Sequence, residues 1–406
     1  MESISHFSSD FDINQCIVVD YGNSNSKCMI MKYNRELPIH NYHGNVNWRS
    51  YVDVSENGLI VVDRYYGVRR NHVILKNTKH LLGKTRNDLR EEDLNSERYG
   101  ADVLFDEQEM PYFHCLVNDH DHNGNPVYRD VYPEEVFGVI LGEMKEQVHG
   151  RIEREISSCC FTIPFHASDR TRQLLLSEVS KQGLDCVCMI TEPMAAYYYL
   201  RSKCDSLTDG ELIMIIDVGS SSFDISIIHH NHNNPQLIVH NSLRERIFDE
   251  MMNHLMNYVI NEYEREKGTP LLDPSNPRRY SRKWNKLYKR CEEAIPIFSH
   301  VDIVELDLSG IVVVDDDDYH CISITRHEFE SRIKPITSRI DNFWKETLLN
   351  ANIPQNNICH VLLTGGNSRI PIIRKLFQSF CLVDNISPDS CIASGALSYL
   401  STHSTN

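Results

Sequence analysis

The chain has too little positive charge for a general nucleic-acid-binding protein. Its 41 lysines and arginines are outnumbered by 57 aspartates and glutamates, which gives a formal net charge of -16. A nucleic-acid binder usually presents a basic face to the phosphate backbone, so this class of partner is excluded. A phosphate ligand is not excluded, because a few backbone amides can hold one inside an acidic protein.

Long apolar runs and ordered cysteine motifs are also missing. No segment approaches the ~20 apolar residues of a membrane-spanning helix. The polar N-terminal stretch lacks the basic and apolar regions of a secretory signal. The 13 cysteines include no C-x-x-C pair and are typical of reduced thiols used as small hydrophobic side chains. These absences predict a cytoplasmic protein with no membrane partner.

What is present is an alternation of short apolar strands and amphipathic helices. At 406 residues the chain is too long for one core, so two or more domains are expected. Near-continuous apolar runs indicate strands that are covered on both faces, and strands alternating with helices indicate an α/β fold. The predicted strands are 16–19, 28–32, 160–163, 187–190, 212–216, 224–228 and 360–363, and IVVVDDDD at 311–318 predicts a further strand with an acidic turn. The predicted helices are 133–152, 168–184, 248–268, 280–294 and 326–351.

Two strand–acid–turn–strand units stand out among these elements. The first is IVVDYGNSNSKCMIM around Asp20, and the second is IIDVGSSSFDISII around Asp217. Such a turn directs backbone N–H groups and hydroxyls at a concavity that accepts phosphate oxygens, while the carboxylate can hold the water shell of Mg²⁺. Either copy alone is more often an ordinary tight hairpin. The pair suggests two similar halves, each with an inserted segment.

A third loop strengthens the phosphate interpretation. In HVLLTGGNSRIPIIRKLF a buried strand ends at Thr364, and Gly365 and Gly366 permit close backbone approach before a helix. A lone Gly-Gly pair is usually a turn, so this loop gains weight only beside the other two. No P-loop is present, because Thr78 stands where the first glycine of that motif would precede Gly83.

The sequence resembles the nucleotide-binding domain of the heat-shock 70 chaperones, within the actin and sugar-kinase superfamily. The two acid turns are similar to the family's phosphate loops, and NTKHLLGK is similar to the segment with its catalytic lysine. FTIPFHASDRTRQLLLSEVSKQGLDCVCMITEPMAAYYY, SITRHEFE, LLTGGNSRIPIIRKL and SPDSCIASGAL resemble further family segments in order and spacing. The resemblance covers nearly the whole chain.

The resemblance implies an actin-like ATPase fold with two lobes and a nucleotide cleft between them. Each lobe has a ribonuclease H-like core, a mixed sheet flanked by helices, and an inserted subdomain. The implied first lobe has its core at 1–49 and 130–205 and its insertion at 50–129. The implied second lobe has its core at 206–243 and 325–406 and a mainly helical insertion at 244–324.

The family's functional residues carry over position by position. Asp20 and Asp217 would hold Mg²⁺ through water, with Glu192 ordering that shell and the attacking water. Lys79 would sit beside the γ-phosphate, and Ser222 keeps the hydroxyl of the family's catalytic-site threonine. Without the resemblance, Lys79 reads as a solvated lysine, Glu192 as a helix cap, and the aspartates as turn formers. The implied nucleotide-binding residues are Gly22, Asn23, Ser24, Asn25, Gly219, Ser220, Ser221, Ser222, Asp224, Glu292, Ser299, Gly365, Gly366, Asn367, Ser368, Arg369 and Asp389.

The departures from the family pattern fall on the ligand-binding segments. G-N-S-N replaces Gly-Thr-Thr, G-S-S-S replaces Gly-Gly-Gly-Thr, and 244–245 read Arg-Glu where the family has Gly-Gly. Added Cβ atoms penalise any positive φ in these loops. Ile295 and Pro296 replace the Lys and Arg that grip adenosine, and the proline is expected to end its helix. Loss of the stacked cation removes about 1–2 kcal/mol of affinity, so triphosphate chemistry is better supported than adenine specificity.

The leading hypothesis is an ATP-binding heat-shock 70-like protein, a slow Mg²⁺-dependent ATPase whose lobes close around ATP or ADP. The expected partners are the nucleotide and a nucleotide-exchange factor or co-chaperone. The sequence shows no peptide-binding domain, so client clamping is not expected. The alternatives are a degenerate, non-hydrolysing regulatory or scaffold protein of the same fold and, third, a small-molecule kinase.

Histidine-rich stretches raise a separate question of metal binding. His120 and His122 alternate in a predicted hairpin with its turn at Asn123–Gly124, and HHNHNN at 229–234 lies in a polar connection. A structural or loop role is favoured over a metal site for both.

Overall fold

The computed structural model of the protein describes residues 4–5, 11–64, 73–118, 125–152, 154–204, 206–243, 247–273, 275, 277–312, 320–383 and 386–404. The predicted turn at 123–124, the histidines at 120 and 122, the Arg-Glu pair at 244–245 and the acidic run at 315–318 lie outside these residues. The chain forms two compact units. Unit 1 comprises Met1–Ser206 with Ser390–Asn406, and unit 2 comprises Leu207–Asp389.

The elements alternate between strands and helices, as the sequence pattern predicts. The strands of unit 1 are β1 (Ile4–Ser5), β2 (Cys16–Asp20), β3 (Asn25–Lys32), β4 (Arg35–Ile39), β5 (Trp48–Arg49), β6 (Val52–Ser55), β7 (Gly58–Val61), β8 (Val73–Leu75), β9 (Asp102–Phe105), β10 (Pro111–Asn118), β11 (Val127–Val131), β12 (Ser158–Ile163) and β13 (Asp185–Thr191). Those of unit 2 are β14 (Leu212–Val218), β15 (Phe223–His229), β16 (Gln236–Leu243), β17 (Ile303–Asp307), β18 (Cys321–Thr325) and β19 (Ile358–Thr364). The α-helices are α1 (Ser96–Tyr99), α2 (Pro133–Ile152), α3 (Asp169–Lys181), α4 (Glu192–Lys203), α5 (Ile247–Lys267), α6 (Pro277–Ala294), α7 (Arg326–Arg332), α8 (Lys334–Asn350), α9 (Pro371–Lys375) and α10 (Cys391–His403).

The main sheet of unit 1 has the strand order β1-β13-β12-β2-β3-β4, with β5 paired to β3. β12 runs parallel to β2 and β13, whereas β2, β3 and β4 form an antiparallel meander. All residues of β2 and β12 are buried, which confirms the prediction of strands covered on both faces. The sheet is therefore a mixed one, and its turn between β2 and β3 follows directly after Asp20.

The segment predicted to be inserted in this half contains two small antiparallel sheets. One has the order β7-β6-β8 and the other β11-β10-β9. The sequence predicted a turn-rich region with one hairpin. The strands on either side of residues 119–124, β10 and β11, pair antiparallel, with Phe113 opposite Val131.

Helix boundaries in unit 1 follow the expected capping chemistry. The side chain of Ser168 caps α3 by accepting a hydrogen bond from Thr171 N at 3.1 Å. The helix stops just before Gly183, whose φ of +62° suits glycine. α2 begins with Glu134 and Glu135 in its first turn, where negative charge favours a helix N-terminus.

The last helix, α10, belongs to unit 1, which differs from the predicted assignment of 325–406 to the second lobe. α10 packs against α4, with the Tyr198 and Tyr399 ring centroids 4.8 Å apart. The two backbones approach so closely that a Cβ at Gly395 would lie 1.8 Å from the Ala195 carbonyl oxygen. This close backbone packing is a long-range property that strand and helix patterns do not encode.

We expect Gly395→Ala to destabilise the protein by about 1–3 kcal/mol, because the new methyl group overlaps backbone that cannot rotate away. Gly150→Ala is the matched control, since Gly150 is also helical and has open space around its Cβ position. The control should gain up to about 1 kcal/mol from helix propensity. Chemical denaturation followed by circular dichroism measures both changes, and equal stabilities of the two variants would contradict the packing.

The main sheet of unit 2 repeats the arrangement found in unit 1. Its order is β16-β15-β14-β19, in which β14, β15 and β16 form an antiparallel meander and β19 runs parallel to β14. The tight turn between β14 and β15 follows shortly after Asp217. The prediction of two similar strand–acid–turn–strand units therefore agrees with the strand pairing in each unit.

In unit 2, one predicted helix is divided into two, and another ends where the sequence predicts. The segment predicted as one helix over 326–351 is two helices, α7 and α8, with the break at Ile333. Pro335 lies in the first turn of α8, and it lacks the N–H that a continuous helix would need there. At the other point, α6 ends at Ala294 and a 3-10 turn, Ile295–Ser299, follows, as expected from Pro296.

The cysteines are free thiols, and most of them pack as small hydrophobic side chains. All 13 cysteines are free thiols, and eight of them are buried. Burial raises the pKa of the Cys16 thiol to about 12, so it stays protonated. Within the described ranges, none of the helices combines the length and apolar character that crossing a bilayer requires.

Candidate functional site

In unit 1 the first acid-bearing turn starts where β2 leaves the core. Asp20 is the last residue of β2 and is only 8% exposed. Its Oδ1 accepts a hydrogen bond from Thr162 Oγ1 of the neighbouring strand β12 at 2.8 Å. The carboxylate is therefore held in one orientation at the strand end.

The turn itself depends on Gly22. A Cβ at this position would lie 2.0 Å from the Asn25 carbonyl oxygen, so no other residue fits without moving the backbone. Ser24 is fixed through its carbonyl oxygen, which accepts from Ser50 N at 2.9 Å. Neither Asn23, Ser24 nor Asn25 has a positive φ. The replacements of the family's residues in this loop therefore carry no left-handed backbone strain.

Lys79 and Glu192 meet beside this turn. Lys79 lies in a 3-10 turn, Thr78–Leu81, and its Nζ is 2.5 Å from Glu192 Oε1. The same ammonium group donates to the carbonyl oxygen of Tyr21 in the turn. Both side chains are largely withdrawn from solvent, with 13% of Lys79 and 19% of Glu192 exposed. Three predicted parts, the Asp20 turn, Lys79 and Glu192, thus lie together in unit 1.

Tyr21 connects the turn to the core below it. Its hydroxyl pairs with Thr78 Oγ1 at 3.0 Å, and its ring packs on Phe137 with centroids 5.1 Å apart. Burial raises the pKa of Tyr21 to about 12 despite the opposing hydrogen bond from Thr78, so the phenol stays neutral. The Tyr21 carbonyl oxygen, which accepts a hydrogen bond from Lys79, therefore belongs to a residue whose side chain is fixed in the core.

Asn77 provides a second link between the turn and the Lys79 segment. It has a φ of +57°, a conformation that asparagine tolerates better than most residues. Its Oδ1 accepts from Asn23 Nδ2 at 3.2 Å, and its own Nδ2 donates to the Arg98 carbonyl at 3.0 Å. Next to Lys79, burial and the charges of Arg98 and Lys84 lower the pKa of His80 to about 3. His80 therefore adds no positive charge beside Lys79.

In unit 2 the second acid-bearing turn is a four-residue turn between β14 and β15. The Gly219 N–H donates to the Ser222 carbonyl oxygen at 3.1 Å and closes it. Asp217 lies opposite Asp224 in the strand register, and Ser222 Oγ donates to Asp224 Oδ2 at 2.5 Å. Neither Ser220, Ser221 nor Ser222 has a positive φ. The expected penalty for replacing the family's glycines by serines therefore does not arise, because this turn never enters the left-handed region.

The Gly-Gly loop after β19 joins this turn. Thr364 is paired with Asp217, and Gly365 follows with a φ of +79°. A Cβ at Gly365 would lie 2.4 Å from the Val218 carbonyl oxygen and 2.6 Å from Asp217 Oδ1. Asn367 Nδ2 then donates to the Gly219 carbonyl oxygen at 3.0 Å. The two loops are thus tied together inside unit 2.

The remaining predicted residues of unit 2 fall around the 3-10 turn Gly366–Arg369. Arg369 forms an ion pair with Asp389, with Nη2 and Oδ2 2.6 Å apart. The turn Ile295–Ser299 contacts the turn Gly366–Arg369, which brings the segment of Glu292 and Ser299 alongside. Ser299 Oγ donates locally to the Pro296 carbonyl oxygen at 2.6 Å.

The two positions that depart most from the family have different environments. Ile295 is 1% exposed and belongs to the hydrophobic core of unit 2, whereas Pro296 is exposed. Ile295 therefore contributes to the packing of this core. Neither side chain offers the charge of the residue it replaces.

Sequence reasoning missed three residues that support the site. Thr162 holds Asp20, Asn77 links the turn to Lys79, and His240 Nε2 lies 3.9 Å from Asp224 Oδ1. The sequence could have indicated Thr162, because a hydroxyl group in a fully buried strand needs a hydrogen-bond partner. No sequence pattern indicates Asn77 or His240, because their roles depend on turn geometry and on strand register.

The oxygen atoms presented by each turn suit a hard, hydrated cation. Asp20 and Thr162 in unit 1, and Asp217, Ser222 and Asp224 in unit 2, present carboxylate and hydroxyl oxygens. Oxygen ligands are the type that Mg²⁺ prefers, and it usually keeps several waters between itself and the protein. The donor sets therefore fit Mg²⁺.

A strand, an acid, a tight turn and a returning strand, repeated in two units beside a parallel strand, define a mixed α/β protein of the actin-like type. Comparison with known sequences makes this specific, since the family model described as Hsp70 protein matches residues 16–403. The chain therefore belongs to the Hsp70 family, and its fold is the actin-like ATPase fold.

Several curated proteins are similar to the chain. The heat shock cognate HSP70 protein of Trypanosoma brucei brucei is 25% identical over 392 residues, which cover 94% of this chain and 55% of that protein. Chaperone protein DnaK 1 of Synechococcus is 23% identical over 390 residues, which cover 93% of this chain and 49% of that protein. Chaperone protein DnaK of Methanothermobacter thermautotrophicus is 25% identical over 272 residues, which cover 66% of this chain and 44% of that protein. The chain spans about half the length of the curated relatives it matches.

Proposed function

We propose that this chain binds ATP as its Mg²⁺ complex and hydrolyses it slowly to ADP and phosphate, with Lys79 as the principal catalytic residue. Membership in the Hsp70 family supports nucleotide binding. The observation that carries the hydrolytic part is the position of the Lys79 ammonium, which Glu192 and the Tyr21 carbonyl hold beside the Asp20 turn. A fixed cation next to an anion-binding turn is preorganised for phosphoryl transfer.

Each residue has a distinct part in the proposed reaction. Lys79 offsets negative charge as it develops on the transferred phosphoryl group, and Glu192 keeps Lys79 in place and orients the attacking water. Mg²⁺, when bound, would supply positive charge that offsets part of the charge of the phosphate groups. Asp20 and Asp217 would hold the water shell of that ion. The Ser222 hydroxyl, which donates to Asp224 Oδ2 in this structure, would turn from Asp224 to donate to a phosphate oxygen.

The nucleoside contacts are proposed to be weaker than the phosphate contacts. Glu292 and Ser299 retain polar groups for the nucleoside, and Arg369 with Asp389 would flank the α-phosphate and ribose. Ile295 is committed to the core, and the exposed Pro296 stands where the family has its arginine, so no guanidinium is available to stack on adenine. We expect weak discrimination between ATP and other purine nucleoside triphosphates.

The test is calorimetry of nucleotide binding with and without Mg²⁺. In the presence of Mg²⁺, Asp217→Asn should weaken ATP binding about 10–100-fold, because the neutral amide no longer attracts the hydrated ion. Without Mg²⁺ the parent and the variant should bind ATP alike. Asp302→Asn is the control, since Asp302 is a surface residue of the same unit with 87% of its side chain exposed. No ATP binding by the parent chain would refute the proposed function.

A partner that controls nucleotide exchange is part of the proposal. Several of the similar proteins are named chaperones, which supports a chaperone-like use of the nucleotide and a co-chaperone or exchange factor as partner. The proposal is limited to nucleotide handling, because the match covers about half of each relative. The non-hydrolysing alternative predicts ATP binding without turnover, which the same preparations would reveal.

A further inference from the structure

Three side chains of metal-ligand type meet at one end of the β14–β15 hairpin. Asp209 precedes β14, and His230 and His232 follow β15. One ligand atom from each lies within 4.8 Å of the other two. This end of the hairpin is opposite to the Asp217 turn, because both strands run between the two places. β14 has seven residues, so the separation is about 20 Å.

The backbone fixes the two segments that carry these residues. Gly210 N donates to the His230 carbonyl at 2.9 Å, and His230 N donates to the Glu211 carbonyl at 2.8 Å. These two bonds extend the strand ladder by one step beyond its regular part. His232 N also donates to Asp209 Oδ1 at 2.8 Å. The cluster is therefore built on paired backbone and does not depend on chance contacts of long side chains.

One of the three candidate ligand side chains is held in place by burial, and the other two are exposed and can rotate. His230 is fully buried, whereas 57% of the Asp209 side chain and 54% of the His232 side chain are exposed. Asp209 Oδ1 lies 2.8 Å from His232 Nδ1 and 4.0 Å from His230 Nε2. Ligand atoms around Zn²⁺ are separated by roughly 3–3.5 Å, given bond lengths of about 2.0–2.2 Å. Small rotations of the two exposed side chains are enough to reach that geometry.

The local charge favours a cation. The Asp209 carboxylate lies beside both imidazole rings, with its Oδ1 2.8 Å from His232 Nδ1 and 4.0 Å from His230 Nε2. Glu211, whose backbone carbonyl holds His230, adds a second carboxylate next to the cluster.

We propose that Asp209, His230 and His232 form a binding site for a divalent transition metal, with Zn²⁺ as its physiological type of ligand. Two imidazole nitrogens and one carboxylate oxygen suit Zn²⁺, with water completing the tetrahedron, whereas Mg²⁺ and Ca²⁺ select all-oxygen sites. His230 would bind through Nε2 and His232 through Nδ1, so each ring carries its proton on the other nitrogen. This site is distinct from the proposed nucleotide residues.

The sequence alone favoured a loop role for the histidines because it does not show the third ligand. Asp209 lies 23 positions before His232, and only the pairing of β14 with β15 brings the two together. A bound metal would cross-link the segment before β14 to the segment after β15. It would thereby hold the two central strands of the unit 2 sheet together at this end.

The experiment is a Zn²⁺ titration of the chelator-stripped full chain in competition with a chromophoric chelator. The parent should bind one more equivalent of Zn²⁺ than His232→Ala or Asp209→Asn, or should bind that equivalent at least about 100-fold more tightly. Zn²⁺ should raise the melting temperature of the parent by a few degrees and leave that of both variants unchanged, whereas Mg²⁺ should shift none of them. Both substitutions are at exposed positions, and circular dichroism checks that the fold is kept.

His229→Ala is the matched control. His229 belongs to the same histidine run, but adjacent residues at a strand end point to opposite faces, and it is not part of the cluster. It should retain the full Zn²⁺ stoichiometry and the stabilisation. Equal Zn²⁺ binding by the parent, His232→Ala and Asp209→Asn would overturn the proposal, as would loss of the equivalent in His229→Ala alone. ATP binding measured on the same proteins keeps this result separate from the proposed function.

Discussion

Lys79→Ala is expected to lower the rate of ATP hydrolysis about 10²–10³-fold while changing ATP affinity much less. The ammonium group lies between Glu192 and the Tyr21 carbonyl beside the first turn, where it is held before any charge develops. Removing one preorganised donor of this kind typically has an effect of that size on the chemical step. Binding in the ground state draws on many other contacts, so it should survive. Single-turnover hydrolysis and calorimetry with Mg-ATP measure the two quantities separately.

Lys32→Ala is the matched control for this prediction. Lys32 ends β3, the strand that begins at the first turn, so it belongs to the same unit but lies at the other end of the strand. Its removal should leave turnover and binding unchanged. Lys79→Arg should remain strongly impaired, because a planar guanidinium does not replace a compact ammonium at a tightly packed position. If Lys79→Ala hydrolyses ATP at the parent rate, Lys79 is a structural residue and the proposed mechanism is wrong.

The parts of the fold that the sequence predicts well are those set by local chemistry. The seven predicted strands that lie entirely within the described residues are present, and β2 and β12 show the complete burial that their apolar runs indicate. Ser168 caps α3 and Gly183 ends it, because a side-chain acceptor and a positive φ are needed at those two positions whatever the rest of the chain does. The end of α6 at Ala294 follows from Pro296 for the same reason.

The parts that the sequence does not predict depend on distant contacts. The apolar stripe of 326–351 continues through Pro335, so the pattern suggests one helix where the backbone forms two. The close contact of α10 with α4 rests on Gly395, whose significance is invisible until the Ala195 carbonyl lies against it. In the inserted segment of unit 1, short strands with polar faces carry too little periodicity to be recognised.

The candidate site also combines features that the sequence predicts with features that depend on distant contacts. The residue pattern identified the two acid turns, and the resemblance to the family identified Lys79 and Glu192. The structure brings Lys79, Glu192 and the first turn together in unit 1. The resemblance did not identify the consequences of the altered loops. A glycine-to-serine change has a cost only where φ is positive or where the Cβ meets other atoms, and the serines at 220–222 have no positive φ. The glycines that do matter, Gly22 and Gly365, are both retained.

Gly365→Ala is expected to have the largest effect on stability among the glycine substitutions considered. At φ +79° and ψ 147° the residue occupies a region that is essentially restricted to glycine. Its new methyl group would also meet the Val218 carbonyl oxygen at 2.4 Å and Asp217 Oδ1 at 2.6 Å. Backbone strain and overlap together should lower the free energy of unfolding by about 3–5 kcal/mol. Displacement of the Asp217 carboxylate should also weaken Mg²⁺-dependent ATP binding.

Gly268→Ala separates the two causes, because Gly268 has a φ of +66° but nothing within 4 Å of its Cβ position. This control should lose only about 1 kcal/mol, the cost of the left-handed conformation, and should bind nucleotide as the parent does. Urea denaturation gives the stabilities, and calorimetry with and without Mg²⁺ gives the binding. If Gly365→Ala and Gly268→Ala lose the same stability, the overlap with Val218 and Asp217 contributes nothing. The close fit of the glycine loop against the second acid turn would then not determine where that carboxylate lies.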